Sequence, residues 1–253
     1  MDFALRSFEY WAYSYRRVWR GSLVTSIVGP ILFLSAIGVG LGSLVDHNNR
    51  LGVPYLDYVA PGILAATAMQ IAAFESSYPV MAAIRWTRQF HAMLSTPLRV
   101  PDLIVGHQLY IACRLAVVGV IYIAILAAFG ALHSPYAPFA VPVVVLVGLA
   151  YSVPVCAFAA WLEREEGFNA LFRFGIIPMF LFSGTFFPVA RLPHPLRELA
   201  YATPLWNGVD LTRHLTLGTP TLVSSAFHVA YLSLWVVCGF VAARRTFRRR
   251  LVR

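Results

Sequence analysis

Along the chain, apolar residues neither alternate nor recur sparsely; they come in blocks of about twenty separated by short polar interruptions, the pattern of a chain that crosses a bilayer repeatedly. Six blocks are predicted as spans: residues 22–44, 58–83, a stretch within 102–132, 139–162, 168–187 and 222–243. At helical rise, a block such as the first covers about 34 Å, enough for a hydrocarbon core of about 30 Å. Ahead of it, residues 3–20 place Leu5, Phe8, Trp11, Ala12, Tyr15 and Trp19 among Arg6, Glu9, Arg16, Arg17 and Arg20, which predicts an amphipathic helix lying at the membrane interface. The longest polar and aromatic interruption is 85–107. Its first half is predicted as a short helix with Trp86, Phe90, Met93 and Leu94 on one face and Arg88, Gln89 and His91 on the other, stopped by Thr96-Pro97. Residues 189–219 are semi-polar and broken by Pro193, Pro195 and Pro204, as expected of a re-entrant segment that dips into the interface without crossing. Within it Asp210 and Arg213 are spaced to pair at i, i+3.

The expected fold is therefore all-α and polytopic. It comprises an interface helix (1–21), a six-helix membrane domain (22–243) with a cytoplasmic helix near 85–100 and a re-entrant segment near 189–219, and a basic tail (244–253). Composition agrees: the chain is 59% hydrophobic and 12% charged, with mean hydropathy +0.69, which excludes a soluble globular domain. The net charge of +9 comes from twenty arginines and no lysine. These sit beside membrane spans, so the partner they indicate is a lipid bilayer and not nucleic acid. Fifteen fall on one side of the alternating spans, four (Arg50, Arg191, Arg197, Arg213) on the other, and Arg114 lies within a span. Positive-inside bias places both termini and the 85–107 stretch in the cytoplasm, at a cytoplasmic membrane, and requires an even number of spans.

Two intramembrane charges change the picture further. Glu75 lies near the end of the second block and Arg114 inside the third; the two blocks run in opposite directions from a shared loop, so a Glu75–Arg114 pair is expected. An unpaired central arginine costs about 2.5–3.5 kcal/mol on an insertion scale. Cys113, Cys156 and Cys238 fall inside apolar blocks, and buried thiols without a disulfide are expected. The first 20 residues lack the apolar core of a cleavable signal peptide. Glu163, Glu165 and Glu166 belong to a compact charged loop, and the seven histidines show no pair at metal-ligand spacing.

Three passages carry a resemblance: FHAMLSTPL (90–98) with DLIVG (102–106); LFSGTFFP (181–188) with Leu192-Pro193 and TPLWNGVDL (203–211); and APGILAATAM (60–69) with Phe74-Glu75. Together they resemble the permease subunits of type 2 ABC exporters, and within them the permeases of nodulation lipo-oligosaccharide export. The resemblance implies a non-catalytic permease that moves an amphiphile, either a lipid-linked saccharide or a hydrophobic drug, out across the membrane. It further implies a second permease subunit, identical or different, and separate ABC ATPase subunits that bind ATP and Mg. This chain has no phosphate-binding G-x-x-x-x-G-K-[ST] loop and no lysine to complete one, so no cofactor is expected on it. By the same resemblance the 85–100 helix is a coupling helix: Phe90, His91, Met93 and Leu94 would dock in an ATPase groove, with Arg85, Arg88 and Arg99 positioning the contact. Two other readings compete, a proton-coupled carrier using Glu75 and a membrane-embedded enzyme acting on lipid or glycan.

Overall fold

The computed structural model describes residues 2–41 and 52–252, and every regular element among them is helical. Helix α1 (Asp2–Tyr15) turns into α2 (Trp19–Ser35), which continues in π-helical form through Leu41. After residue 51 come α3 (Tyr55–Glu75), α4 (Tyr78–Arg85), the short α5 (Gln89–Leu94) and α6 (Val100–Ala128). Then follow α7 (Ala140–Trp161), α8 (Glu166–Ala170), a π-helical stretch (Leu171–Ile176) and α9 (Ile177–Phe182). The chain finishes with α10 (His194–Tyr201), α11 (Pro204–Leu217) and α12 (Leu222–Leu251). The end of the first predicted span (42–44), with Gly42, His47 and Arg50, lies outside the described residues.

Among the described residues, four helical segments are long and apolar enough to cross a membrane: Tyr55–Arg85, Val100–Ala128, Ala137–Trp161 and Leu222–Leu251. The pair formed by α1 and α2, bent by 80°, would make a fifth. The predicted span at 168–187 is shorter than expected. Continuous helix runs only from Glu166 to Phe182, about 26 Å of rise, because Gly184 takes a left-handed φ of 78° and the loop after it is drawn onto α3. Arg213 Nη2 donates to the Gly184 carbonyl (2.8 Å) and Tyr55 Oη to that of Phe186 (3.2 Å). A Cβ on Gly62 of α3 would lie 3.1 Å from Thr185 Cα, so this contact needs glycine.

Helix α3 is the centre of the bundle, packed against α6, α7 and α11. Its alanines, among them Ala65, Ala66, Ala68, Ala72 and Ala73, are buried and let those neighbours come close. Pro61 within α3 cannot donate to the preceding turn. Around it, side chains from neighbouring helices bond to the α3 backbone: Arg213 Nε to the Tyr58 carbonyl (3.0 Å), Tyr122 Oη to Ala60 (3.2 Å) and Thr212 Oγ1 to Pro61 (3.3 Å). The segment expected to be re-entrant thus contributes α11 to the core. Asn207, Thr212 and Thr216 of α11 are buried, and Thr203 caps the helix by accepting from the Trp206 N–H (3.1 Å).

The second predicted span breaks immediately after Glu75. Ser77 Oγ donates to the Phe74 carbonyl (2.8 Å), and Pro79 has no N–H for the preceding turn. In α1 the buried face is Ala4, Ser7 and Trp11; Trp11 was expected there, whereas Leu5, and Trp19 at the start of α2, are exposed against expectation. The reason is the neighbour: α1 lies on the first turns of α6, where Gly106 leaves no room for a Cβ beside the Ala4 carbonyl oxygen (2.7 Å). Of the three thiols, only Cys156 is buried; Cys113 and Cys238 are exposed on the outer faces of their helices, and all three are free. Phe90 touches Trp11 and Phe247 (ring centroids 6.2 and 5.8 Å), which puts α1, α5 and the C-terminal turns of α12 at one end of the bundle.

Candidate functional site

Glu75 is the last residue of α3, and Arg114 faces it from the fourth turn of α6, so the two antiparallel helices bring their charges to one depth. Arg114 Nη1 donates to Glu75 Oε1 in an ion pair. Tyr110 Oη, one turn earlier on α6, donates to Glu75 Oε2 (3.3 Å), and Arg114 Nη2 donates to Ser22 Oγ of α2 (3.1 Å). The guanidinium also lies 5.2 Å from the ring centre of Tyr15 at the end of α1. Four helices therefore meet at one charge pair, whose side chains are 16 and 17% exposed. Arg114 Nε has no hydrogen-bond partner among the described residues.

Three recesses converge on this arginine. The largest, about 660 Å³, is lined by Gln70, Phe74, Glu75 and Arg114 on one side and by Phe172, Ile176, Phe180 and Leu181 on the other. A second of about 470 Å³ shares Gln70, Arg114 and Phe180 and continues between Pro30 and Phe33 of α2 and Ile63 of α3. The third, about 400 Å³, runs toward Trp11, Tyr15 and Ser22. The result is a cleft with apolar aromatic walls and a compact polar centre, of a size that holds a small to medium-sized ligand. Its charge is already balanced, so what the centre offers is hydrogen bonding from the Gln70 amide and the neighbouring hydroxyls, while the unpartnered Arg114 Nε is itself buried.

At the end of the bundle near α1, the stretch predicted as a docking helix is shorter and turned differently. Arg88 has a φ of 49°, left-handed and uncommon for a long side chain, so Trp86 is separated from α5 and stands exposed. Phe90 is buried against Trp11 and Phe247, which removes it from any docking surface; Met93 and Leu94 are half-buried. The exposed residues are Arg85, Trp86, Thr87, Arg88, His91, Ala92, Ser95, Thr96, Pro97 and Arg99. Arg85 donates to the Glu163 carbonyl, and the Arg99 N–H donates to Asp102 Oδ2 (2.9 Å) at the start of α6. A six-residue helix has too few positions for sequence periodicity to reveal which face is covered.

Comparison with known proteins places this architecture. Residues 8–217 match the ABC-2 type transporter family. The chain belongs to that family. It is 30% identical over 250 residues to Nodulation protein J of Rhizobium leguminosarum bv. viciae, covering 96% of this chain and 95% of that protein. Nodulation protein J of R. leguminosarum bv. trifolii is 31% identical over 250 residues (96 and 94% covered), and that of Rhizobium meliloti strain 1021 is 29% identical over 239 (94 and 90%). This ABC-2 permease is a multi-pass membrane protein.

At the far end of the permease, Asp210 and Arg213 do not pair with each other. Arg213 is spent on the Tyr58 and Gly184 carbonyls and stacks on the Tyr58 ring (3.8 Å), while the Asp210 carboxylate lies 3.2 Å from His228 Nε2 and 3.4 Å from His214 Nε2. His228 is buried, and its Nδ1 donates to Asn207 Oδ1 (2.8 Å), whose amide is oriented by the Tyr201 and Thr203 carbonyls. His133 Nε2 and Asp57 Oδ2 (2.8 Å) make a second outer tie, from the loop after α6 to the start of α3. The ties of Asp210 to His228, of Arg213 to Tyr58 and Gly184, and of His133 to Asp57 join separate parts of the fold and were not legible in the sequence, whereas His214 follows Asp210 by four residues on the same helix.

Burial by itself raises the Asp210 carboxyl; the hydrogen bond from His228 and the charges of His214, His228 and Arg213 outweigh it and hold the group below its ordinary 3.8. A depressed carboxyl contributes stability above the unfolded pKa, near pH 4, and loses it as pH falls through the folded value. Thermal unfolding of the detergent-purified permease is therefore expected to weaken on acidification below about pH 4, and Asp210→Asn to flatten that acid limb. An unchanged acid limb in the variant refutes the tie.

Proposed function

We propose that this chain is the permease of an ATP-driven exporter that moves an amphiphile out across the cytoplasmic membrane, with both termini cytoplasmic and six spans. In this reading α2 and the α8–α9 segment complete the count, the latter by tilting or by local thinning of the bilayer. The observation that carries it is the cleft centred on Glu75–Arg114. Its walls suit an acyl or otherwise apolar tail, and its internally neutral centre suits a hydroxyl- and carbonyl-rich head better than an anionic one, which Glu75 repels. A lipid-linked saccharide fits both halves.

ATP and Mg are held by separate ATPase subunits, since the chain lacks a lysine. A second permease subunit completes the transporter, and the exposed apolar faces of α2 and α9 are its proposed seat. The coupling contact falls on the exposed tip of α5 and the turn after it, His91, Ala92, Ser95 and Thr96, with Met93 and Leu94 beneath and Arg88 and Arg99 flanking. ATP-driven movement of this tip shifts α4 and α6, the two helices joined by it, and so biases the cleft between inward- and outward-facing states.

The test is co-purification with the product of an adjacent ATPase gene. Ala92→Glu and Ser95→Glu are expected to lose the ATPase while the permease stays folded; Phe90→Asp is expected to unfold it instead, because the carboxylate would be buried between Trp11 and Phe247. Full ATPase retention in Ala92→Glu and Ser95→Glu refutes the coupling assignment. Export that persists without any ATPase favours a carrier using Glu75.

A further inference from the structure

At the end of the bundle that carries α1, a recess of about 380 Å³ opens between α4, α5 and α12, lined by Ile84, Arg85, Arg88, His91 and Arg250. A second, of about 420 Å³, shares Arg250 with it and adds Arg249, Thr246 and Trp161. Its acidic lining residue, Glu163, gives Arg85 its backbone carbonyl. Among the described residues, no carboxylate lies within 4 Å of Arg85, Arg88, Arg249 or Arg250 to neutralise them. Guanidinium groups gathered in a concave site without a counter-charge repel one another, and their fork geometry matches the oxygens of a phosphate.

Depth decides where such an anion comes from. The apolar part of α12 ends near Ala243, and Arg250 follows seven residues on, about 10 Å further along the helix axis. A headgroup layer occupies roughly 5–8 Å beyond the hydrocarbon on each side, so Arg250 stands just outside it, while Ile84 and Arg85 at the end of the Tyr55–Arg85 segment and Trp161 at the end of Ala137–Trp161 bring the two recesses to headgroup depth. Trp161 and Trp86, 67 and 61% exposed, stand at the same end, as aromatic residues do at a membrane interface. The strained backbone of Arg88, with φ 49°, is held at the rim of this recess. Of the exposed tip of the α5 stretch, His91 lines it, whereas Ala92, Ser95 and Thr96 do not.

We propose that this basic recess binds the phosphate headgroup of an anionic phospholipid, which ties the α5 stretch to the C-terminal turns of α12. The lipid neutralises Arg88 and Arg250 together and bridges the segment that follows the central helix pair to the last helix of the chain. This inference rests on the recess alone and does not require the ATPase assignment. An acidic segment of a protein partner is the competing occupant; the concave shape at headgroup depth favours the lipid.

The experiment uses the full-length chain in neutral detergent, with thermal unfolding followed in phosphatidylglycerol, phosphatidylcholine or inorganic phosphate. Phosphatidylglycerol is expected to raise the midpoint over phosphatidylcholine by about 3 °C or more. The double variant Arg88→Gln/Arg250→Gln is expected to lose that gain, and Arg244→Gln/Arg245→Gln, which removes the same charge from outside the recess, to keep it. Should the first double variant fold poorly, Arg88→Lys/Arg250→Lys keeps the charge and is expected to retain part of the gain, while native mass spectrometry of the wild type is expected to find phosphatidylglycerol bound in preference to phosphatidylcholine. Equal loss in the Arg88/Arg250 and Arg244/Arg245 glutamine variants would mean diffuse attraction to a charged surface and overturn the site. So would an equal gain from inorganic phosphate, or no gain from phosphatidylglycerol in the wild type. Loss of a protein partner in the Arg88/Arg250 variant with the lipid gain intact would assign the recess to an acidic polypeptide instead.

Discussion

Arg114→Ala is expected to abolish most export and to lower the stability of the permease by about 3 kcal/mol, the low end for removing one member of a buried ion pair. The substitution leaves the Glu75 carboxylate at membrane depth with only Tyr110 as a donor, and it removes the anchor that joins Ser22 and Tyr15 to α6. Glu75→Gln is milder for folding, because a glutamine carbonyl still accepts from the guanidinium, yet it strands a positive charge in the cleft. The double variant Glu75→Gln/Arg114→Gln separates structure from transport. Both charges are gone, so stability is expected to recover above that of Arg114→Ala, measured by thermal unfolding in detergent. If export into vesicles remains absent in that variant, the pair handles substrate; if export recovers with stability, the pair is structural and the cleft assignment fails.

Gly239→Leu is expected to prevent correct assembly of the bundle. A Cβ at this position of α12 would lie 2.7 Å from Pro154 Cδ, 2.9 Å from its Cγ and 3.0 Å from its backbone nitrogen. A proline ring cannot rotate away, so the two helices must separate along the most extensive helix contact in the protein. Overpacking a well-filled contact costs about 1–3 kcal/mol, and a leucine side chain at a rigid neighbour lies at or beyond the upper end. Gly239→Ala is expected to show the effect in reduced form. Gly29→Ala, where nothing comes within 4 Å of an added Cβ, is expected to be neutral or slightly stabilising to the isolated chain. Yields of monodisperse protein and unfolding midpoints for these three variants check the ordering; a Gly239→Leu protein as stable as Gly29→Ala refutes the close crossing.

The residues that the sequence made legible are those whose placement follows from solvent preference. Blocks of apolar residues must lie in lipid, which located α6 and α7 to within a few residues, the start of α12, and the α3–α4 segment as one block without its break after Glu75. Two opposite charges at matching distances from one loop must meet, which located Glu75 and Arg114. Periodicity also found an amphipathic N-terminal helix and named Trp11, which the fold buries, but it added Leu5 and Trp19, which are exposed, and missed Ala4 and Ser7, which are small enough to lie on Gly106. In a membrane protein the lipid-facing side is as apolar as the core, so hydrophobicity cannot tell the two apart, whereas residue size can.

The amino-acid sequence by itself determined the class of the protein: an all-helical membrane chain, with an intramembrane ion pair and no means of binding nucleotide through a phosphate loop. Only the tertiary structure decided which way Phe90 turns, where the helix before Gly184 ends, and that Asp210 answers to His228 and His214 while Arg213 holds backbone carbonyls across the bundle. The physical reason is range. Transfer of side chains between water and lipid depends on each residue and its near neighbours along the chain, but a hydrogen bond or a close helix crossing depends on what a different helix brings to the same point.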